Sequence, residues 1–198
     1  MNQPSIKQLL QKFYVDNNFS EEGGSDLPYV KVNFTKKFYF FFPNFDARRK
    51  AVIKHDIHHM LTLYPTTIAG ESEISAWEIG SGCTISPTAF FINTSGAMTG
   101  VLFNLPRVIK AFARGRRTEN LYNSKLSIEE IEAKTVSELQ EEYRLNKYSQ
   151  NTAPNLIDIL LFLSFILYGM VYSLFILPLL VFLILYSIYV ILVLKPKS

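Results

Sequence analysis

The chain has 198 residues, a formal net charge of +3 and one cysteine, Cys83. This length suits one domain plus an additional segment. A single cysteine excludes an internal disulfide and favours a reducing compartment. The small net charge gives no support for a nucleic-acid partner. Hydrophobic residues make up 48% of the chain but are unevenly placed, because residues 159–194 contain no charged side chain. The part before this run holds enough apolar residues to form a core of its own.

The first third of the chain predicts two helices separated by less regular segments. Apolar spacing predicts a helix over residues 4–15, followed by a loop over 16–28. Residues 29–42 begin with strand-like alternation and end in an aromatic block, so they fit either a buried extended segment or a short helix. Asp46 is a good N-cap for a helix that runs to about Leu63.

Five further helices are predicted in the middle of the chain from apolar spacing, prolines and capping boxes. They cover residues 71–81, 87–103, 106–114, 128–133 and 136–146. Polar residues over 147–155 then read as a linker. This pattern predicts a domain that is helical nearly throughout.

The uncharged tail predicts a membrane anchor. Pro178 divides it into residues 159–177 and 179–194, each near the length of one membrane span. Basic residues flank both ends of the tail, at Arg144, Lys147, Lys195 and Lys197. This favours a helical hairpin with both ends facing the cytoplasm, and the alternative is one span followed by a helix at the interface.

These elements together predict an all-α fold with two parts. Residues 1–152 form a helical soluble domain that binds metal, and residues 153–198 form a linker and a transmembrane helical hairpin. The protein is expected at a membrane, with its soluble domain on the cytoplasmic side.

A cluster of histidines and carboxylates predicts a metal site. His55 and His59 are four residues apart, which places both rings on one face of a helix, and Asp56 lies one step round. Glu71, in the first turn of the next predicted helix, can face back at both imidazoles, and such a set suits zinc or another first-row divalent ion. His58 points away from this face and is expected outside the ligand set. A purely structural cluster, or an Asp56 that only orients a histidine, remains an alternative.

Two other metal motifs fit less well. Zinc proteases with a His-Glu-x-x-His motif have a general base beside the first ligand. Asp56 holds that place here with a shorter side chain, so a membrane-bound zinc hydrolase remains an alternative. Phosphohydrolases with a His-Asp pair need a further histidine upstream, and no histidine precedes His55.

A basic patch follows the helix predicted over residues 87–103. Its members are Arg107, Lys110, Arg114, Arg116 and Arg117. The first three recur at helical spacing, which fits a solvated face. The alternative is contact with anionic lipid headgroups or a phosphate.

The spaced metal motif resembles that of the coenzyme Q biosynthesis protein four family. The motif runs His55-Asp56-x-x-His59, eleven residues, then Glu71. Similar segments follow in the family's order. They are Leu61-Thr62, Pro65-Thr66, Gly70-Glu71, Gly115-Arg116-Arg117 and Val136-Ser137-Glu138-Leu139. The resemblance covers about residues 46–146.

The resemblance implies an all-helical fold and a divalent metal, usually zinc, held by His55, Asp56, His59 and Glu71. It also implies a role in quinone biosynthesis. The family is associated with loss of the ring carboxyl of a prenylated hydroxybenzoate and gain of a hydroxyl, and it is regarded as an organiser of the other biosynthetic enzymes at a membrane. Two departures stand out: Leu63 replaces a glycine common in the family, which is expected to narrow the pocket, and the apolar tail is not usual there.

The sequence therefore leads to a membrane-anchored metal protein of ubiquinone-like quinone biosynthesis. Its expected ligand is a prenylated aromatic lipid, and the resemblance implies a metal-dependent oxidative decarboxylase. The small residues Gly96 and Gly100 permit close helix packing, or leave a channel for the prenyl chain. The alternatives are a non-catalytic prenyl-lipid scaffold and the zinc hydrolase.

Overall fold

The computed structural model describes residues 3–17, 28–33 and 39–194. Its α-helices within these ranges are α1 (Ile6–Asp16), α2 (Asp46–Thr62), α3 (Ile68–Gly80), α4 (Pro87–Phe103), α5 (Leu105–Gly115), α6 (Ile128–Ala133), α7 (Val136–Glu142) and α8 (Leu156–Tyr189). Most of the loop predicted over 16–28, the start of the aromatic block at Phe38, and the basic residues Lys195 and Lys197 lie outside the described residues. The predicted helical class is confirmed, with one small sheet added.

The sheet is a two-stranded antiparallel hairpin of β1 (Tyr29–Asn33) and β2 (Tyr39–Pro43). Tyr29 lies opposite Pro43 and Asn33 lies opposite Tyr39. Of the two structures that the sequence allowed for residues 29–42, the extended one is therefore present over 29–33 and 39–42, the part that the structure describes. Aromatic and β-branched residues favour this conformation because they pack well on a pleated surface.

Capping explains where most helices begin. Ser127 with Glu130, and Thr135 with Glu138, form the two predicted capping boxes at the starts of α6 and α7. Helix α3 begins at Ile68 rather than at Glu71, because the Thr67 side chain accepts a hydrogen bond from the Gly70 N–H. The helix predicted over 136–146 ends earlier, at Glu142.

The centre of the core is α3, whose residues Ile74, Ala76 and Trp77 are fully buried. Helix α4 approaches α3 closely at its two glycines. A Cβ built on Gly100 would lie 2.5 Å from the Ser72 Cβ and 2.5 Å from a Val108 methyl, and one on Gly96 would overlap the Ser75 hydroxyl. The space beside these glycines is filled by α3 and α5. The glycines therefore serve close helix packing, and the expected prenyl channel does not run beside them.

The apolar tail forms one continuous helix in place of a hairpin. Helix α8 passes through Pro178 without interruption and continues into a π-helical segment, Val190–Leu194. A hairpin would require the chain to reverse near Pro178, so the predicted hairpin is not confirmed. One segment of α8, Leu156–Phe175, is long and apolar enough to cross a membrane.

One stripe of α8 packs against the rest of the protein near the start of the helix and near its end. From Asp158 to Tyr172 the buried residues recur at alternating steps of four and three, at Asp158, Phe162, Phe165, Gly169 and Tyr172. Leu183 is also buried, as is Val190 in the π-helical segment. Near the start, the Phe162 ring lies 5.2 Å from the Phe112 ring of α5. Near the end, the Phe41 N–H of β2 donates to the Ser187 hydroxyl over 2.9 Å. Helix α8 thus shares the core of the domain and exposes its remaining apolar surface.

Candidate metal centre

Three side chains from α2 and α3 converge on one point. His55 and His59 lie one turn apart on α2, and their rings meet edge to face with centroids 4.9 Å apart. Glu71 lies in the first turn of α3. One potential ligand atom from each of the three residues lies within 4.8 Å of the others. The structure therefore brings together the three residues that the helical spacing was expected to bring together.

Hydrogen bonds at the far nitrogens fix how both imidazoles face this point. The His59 Nδ1–H donates to the Tyr64 backbone carbonyl over 2.8 Å, and a carbonyl only accepts, so the proton resides on Nδ1. The His55 Nδ1 lies 3.0 Å from a carboxylate oxygen of Glu78, which likewise favours an Nδ1–H donor. Both Nε2 atoms therefore turn toward Glu71, whose two oxygens lie 3.1 Å from His55 and 3.2 Å from His59.

The electrostatics of the site favour a positive charge between these groups. Burial by itself would raise the pKa of Glu71, but hydrogen bonds and charge from both histidines lower it to about 2. Burial by itself would lower the pKa of His55, but Glu78 and Glu71 together raise it well above its usual value. Without a metal ion, a proton on His55 Nε2 supplies the charge that the Glu71 oxygen needs. A divalent ion at the same place would replace that proton.

The site is covered unevenly. The His59 side chain is 3% exposed and its ring stacks on Phe13, with centroids 5.8 Å apart. The Glu71 side chain is 42% exposed. Access from solvent therefore exists on the Glu71 side, and three protein ligands leave room for a further ligand on a four-coordinate ion.

Asp56 lies outside the converging set. It is buried, and its carboxylate is hydrogen-bonded to the Tyr14 hydroxyl of α1. Burial is the main reason why its pKa is raised to about 6. One residue along a helix is a rotation of about 100°, which carries Asp56 away from the face that His55 and His59 share. The structure thus brings together three of the four predicted ligands, and Asp56 bonds to Tyr14 rather than to a histidine.

Glu78 is a site residue that the sequence analysis missed. It is fully buried and accepts hydrogen bonds from four side chains. The donors are His55 Nδ1, His58 Nδ1, the Asn93 amide and the Tyr122 hydroxyl. A signal was present in the sequence, because Glu78 follows Glu71 by seven residues and two helical turns place both on one face of α3.

His58 belongs to the core. It is fully buried, its Nδ1–H donates to Glu78 over 2.6 Å, and its Nε2 accepts the Leu121 N–H over 2.9 Å. Burial lowers the pKa of His58, which favours the neutral ring. The expectation that it lies outside the ligand set agrees with this geometry, and it is not a surface residue.

The cations of the predicted basic patch mostly hold the fold together. Arg107 makes two hydrogen bonds to the Glu73 carboxylate, at 2.8 and 2.7 Å. Arg114 is 5% exposed and donates to the backbone carbonyls of Thr62 and Tyr148. The Arg114 charge is therefore not offered to a lipid headgroup or a phosphate, whereas the Arg107 side chain is paired with Glu73 but 54% exposed.

The other members of the patch differ from each other. Arg116 and Arg117 pair with Asp158 of α8, over 3.4 and 2.7 Å. Asp158 is 2% exposed and also caps the start of α8. The two arginines thus fix the apolar helix to the domain. Lys110, by contrast, is partly buried and makes no ion pair among the described residues.

Comparisons with known proteins give no further guide to function. No family model, no curated protein and no solved structure matches the chain.

Proposed function

We propose that this protein is a membrane-anchored divalent-metal protein of quinone biosynthesis that acts on, or presents, a prenylated hydroxybenzoate-type precursor. One observation carries the proposal: the Nε2 atoms of His55 and His59 and the carboxylate of Glu71 converge while both Nδ1 atoms are engaged elsewhere. Histidines that ligate metals characteristically donate their other N–H to a carboxylate or a carbonyl in this way. The spacing of these three residues is also the part of the motif that resembles the quinone-biosynthesis family.

The donor set suits zinc, with two imidazole nitrogens and one carboxylate. When bound, the ion supplies a Lewis acid that attracts the ring carboxylate or phenolate of the precursor. The chain's own residues hold that position: the Tyr64 carbonyl and Glu78 aim the two rings, and the exposed side of Glu71 leaves an approach for the aromatic head. The Phe13 ring beside His59 adds an apolar wall.

The position of Leu63 agrees with the resemblance. Leu63 ends α2 with φ of 63°, in the left-handed region that favours glycine. The family commonly has glycine at this place, and glycine adopts this backbone conformation without strain. Its side chain is 70% exposed, so the expected narrowing of the pocket has no support here.

Membrane attachment in this proposal is through α8, with the helical domain on the cytoplasmic side. The uncharged surface of α8 supports contact with hydrocarbon. The hairpin is not part of the proposal, because α8 continues through Pro178. Other quinone-biosynthesis enzymes are the protein partners that the resemblance implies.

The alternatives differ in how the metal is used. A zinc hydrolase would need Asp56 as a general base near the metal-bound water, but Asp56 is buried and bonded to Tyr14. A scaffold that binds prenyl lipid would keep both metal and lipid without turnover. No observation in the described structure favours the scaffold over the enzyme.

The test uses the full chain purified in detergent micelles, with metal content and co-purifying lipid measured on the same sample by mass spectrometry. We expect about one divalent ion per chain, lost in His59→Ala and kept in Glu141→Gln, which changes an exposed carboxylate on α7. Turnover is then measured with a prenylated hydroxybenzoate. Loss of its ring carboxyl supports the enzyme, and retained lipid without turnover supports the scaffold. Absence of bound metal in the parent protein would overturn the proposal.

A further inference from the structure

We infer that Glu78 is a positioning residue of the metal centre, which holds His55 for the ion and supplies a buried negative charge that the ion balances. This inference rests on the proposed metal-binding function. The observation that carries it is the bond between Glu78 and the His55 Nδ1, together with the three other donors that surround the carboxylate.

The four donors divide evenly between the two oxygens of Glu78. Oε1 accepts from the Nδ1 atoms of His55 and His58, over 3.0 and 2.6 Å. Oε2 accepts from the Asn93 amide and from the Tyr122 hydroxyl, the latter over 3.2 Å. Glu78 is therefore engaged on both oxygens and acts on the ion through His55, without becoming a ligand itself.

The role of His58 shows that Glu78 is an acceptor. The His58 Nε2 receives the backbone N–H of Leu121, so it carries a lone pair and the ring proton lies on Nδ1. His58 donates that proton to Glu78 Oε1, the oxygen that also accepts the hydrogen bond from the His55 Nδ1. His58 thus holds Oε1 in place against His55, and the Nδ1 of His55 has one acceptor within reach in the described structure.

The charge of Glu78 has no permanent countercharge among its partners. The side chain is fully buried, and none of the four groups that donate to it within the described residues belongs to lysine or arginine. Burial of an ionised carboxylate is costly unless a compensating charge lies nearby. A divalent ion bound to neutral His55, neutral His59 and ionised Glu71 leaves one positive charge, which balances Glu78.

The first arm of the test compares Glu78→Gln with Glu141→Gln in the full chain in detergent micelles. At position 78 glutamine keeps the size and one acceptor oxygen but removes the charge, whereas Glu141→Gln makes the same change at an exposed position of α7 outside the site. Zinc affinity is measured by competition with a chromophoric chelator. We expect Glu78→Gln to weaken zinc binding by about 10- to 100-fold, and Glu141→Gln to change it by less than about threefold.

The second arm measures which nitrogen of His55 binds the metal and which bears the proton, and it needs no variant. The parent protein, labelled with nitrogen-15 in histidine and loaded with cadmium-113, is examined by NMR. We expect coupling from cadmium to the Nε2 of His55 and a slowly exchanging proton on its Nδ1. A merely structural Glu78 would not determine which nitrogen of His55 bears the proton.

The outcomes separate this inference from the proposed function. If the parent binds neither zinc nor cadmium, the metal centre itself is wrong. If the parent binds zinc and folded Glu78→Gln binds it equally well, Glu78 has no positioning role. Should Glu78→Gln not fold, coupling of cadmium to the Nδ1 of His55 would overturn the inference, and the expected coupling at Nε2 with a protonated Nδ1 would support it.

Discussion

At the scale of single residues, a proton and a metal ion compete for the same place between His55 and Glu71. The His55 Nε2 and a Glu71 carboxylate oxygen are 3.1 Å apart, a distance at which a protonated Nε2 donates a hydrogen bond to that oxygen. Glu78 and Glu71 raise the pKa of His55 well above 6.5 in the absence of a metal. The folded chain therefore keeps a proton on His55 at a pH where the unfolded chain has lost it.

This competition predicts how zinc stabilisation changes with pH. The contribution of protonated His55 to stability is fully present below about pH 6.5, its pKa in the unfolded chain, and is lost as the pH rises through the higher folded value. Zinc does not need that proton and must displace it at low pH. We expect the rise in Tm that zinc produces, relative to a chelator, to be larger at about pH 8 than at about pH 6.

Glu71→Gln is the control for this measurement. It removes the carboxylate that both Nε2 atoms face, so zinc should shift its Tm little at either pH. A zinc shift in the parent protein that is equal at both values, or larger at the lower one, would contradict the competition.

Residue spacing was sufficient to predict His55, His59 and Glu71, because helical geometry alone sets which side chains share a face. The same geometry separates Asp56 from this set, because one residue along a helix is a rotation of about 100°, and its carboxylate bonds to Tyr14 of α1. The carbonyl of Tyr64 had no signal at all, because any residue offers a carbonyl and only the turn after α2 aims this one at His59.

At the scale of elements, the end of α2 is held by side chains from three other segments. The Leu61 carbonyl accepts from Gln140, and the Thr62 carbonyl accepts from Arg114 and Gln150. These bonds satisfy carbonyls that a helix end leaves open, and the Arg114 charge is favourable beside the negative end of the helix dipole. They fix the helix that carries both metal-binding histidines.

The left-handed backbone conformation of Leu63, which follows α2, predicts that one substitution there is stabilising. Leu63 has φ of 63° and is 70% exposed, so Leu63→Gly relieves backbone strain and loses little buried surface. We expect a gain of about 0.5–1 kcal/mol in the free energy of unfolding, seen as a Tm higher by about 2 °C.

The matched control is Leu102→Gly, another exposed leucine, whose backbone lies in α4. Glycine there should lower stability, because it weakens a helix that leucine favours. A lower Tm for Leu63→Gly as well would show that α2 does not end in this conformation in solution.

Local signals predicted several element boundaries correctly. Capping boxes and N-terminal prolines are read within four residues, and the helices α4, α6 and α7 begin where they predict. The predicted Asp46 N-cap was wrong, because Phe45 holds the N-cap position and Asp46 lies in the first turn of α2. Pro178 is ambiguous in sequence, because a long apolar helix tolerates the loss of one backbone hydrogen bond, and in this protein α8 continues through it.

At the scale of the whole molecule, α8 contacts the domain near both of its ends. Asp158 at its start pairs with Arg116 and Arg117, and Ser187 near its end bonds to β2. A helix that crossed the bilayer alone would carry its last turns away from the domain. An arrangement with one side of α8 on the protein and the other side in the lipid keeps both contacts.

This arrangement predicts the sidedness of the helix ends. Single cysteines are placed at Asn151 and at Ser198 in a Cys83→Ala background, and vesicles holding the full chain are treated with a membrane-impermeant thiol reagent. We expect both positions to be labelled from the same side, because neither end of α8 leaves the domain. Labelling from opposite sides would mean that α8 detaches and spans the bilayer.

Zinc-edge X-ray absorption on the zinc-loaded full chain tests directly whether His55, His59 and Glu71 bind one divalent metal ion. We expect two imidazole nitrogens at about 2.0–2.1 Å, with the remaining ligands oxygen, and loss of the imidazole scattering in His59→Ala. A sulfur neighbour at about 2.3 Å, which only Cys83 or a methionine can supply, or a shell of oxygen alone, would contradict it.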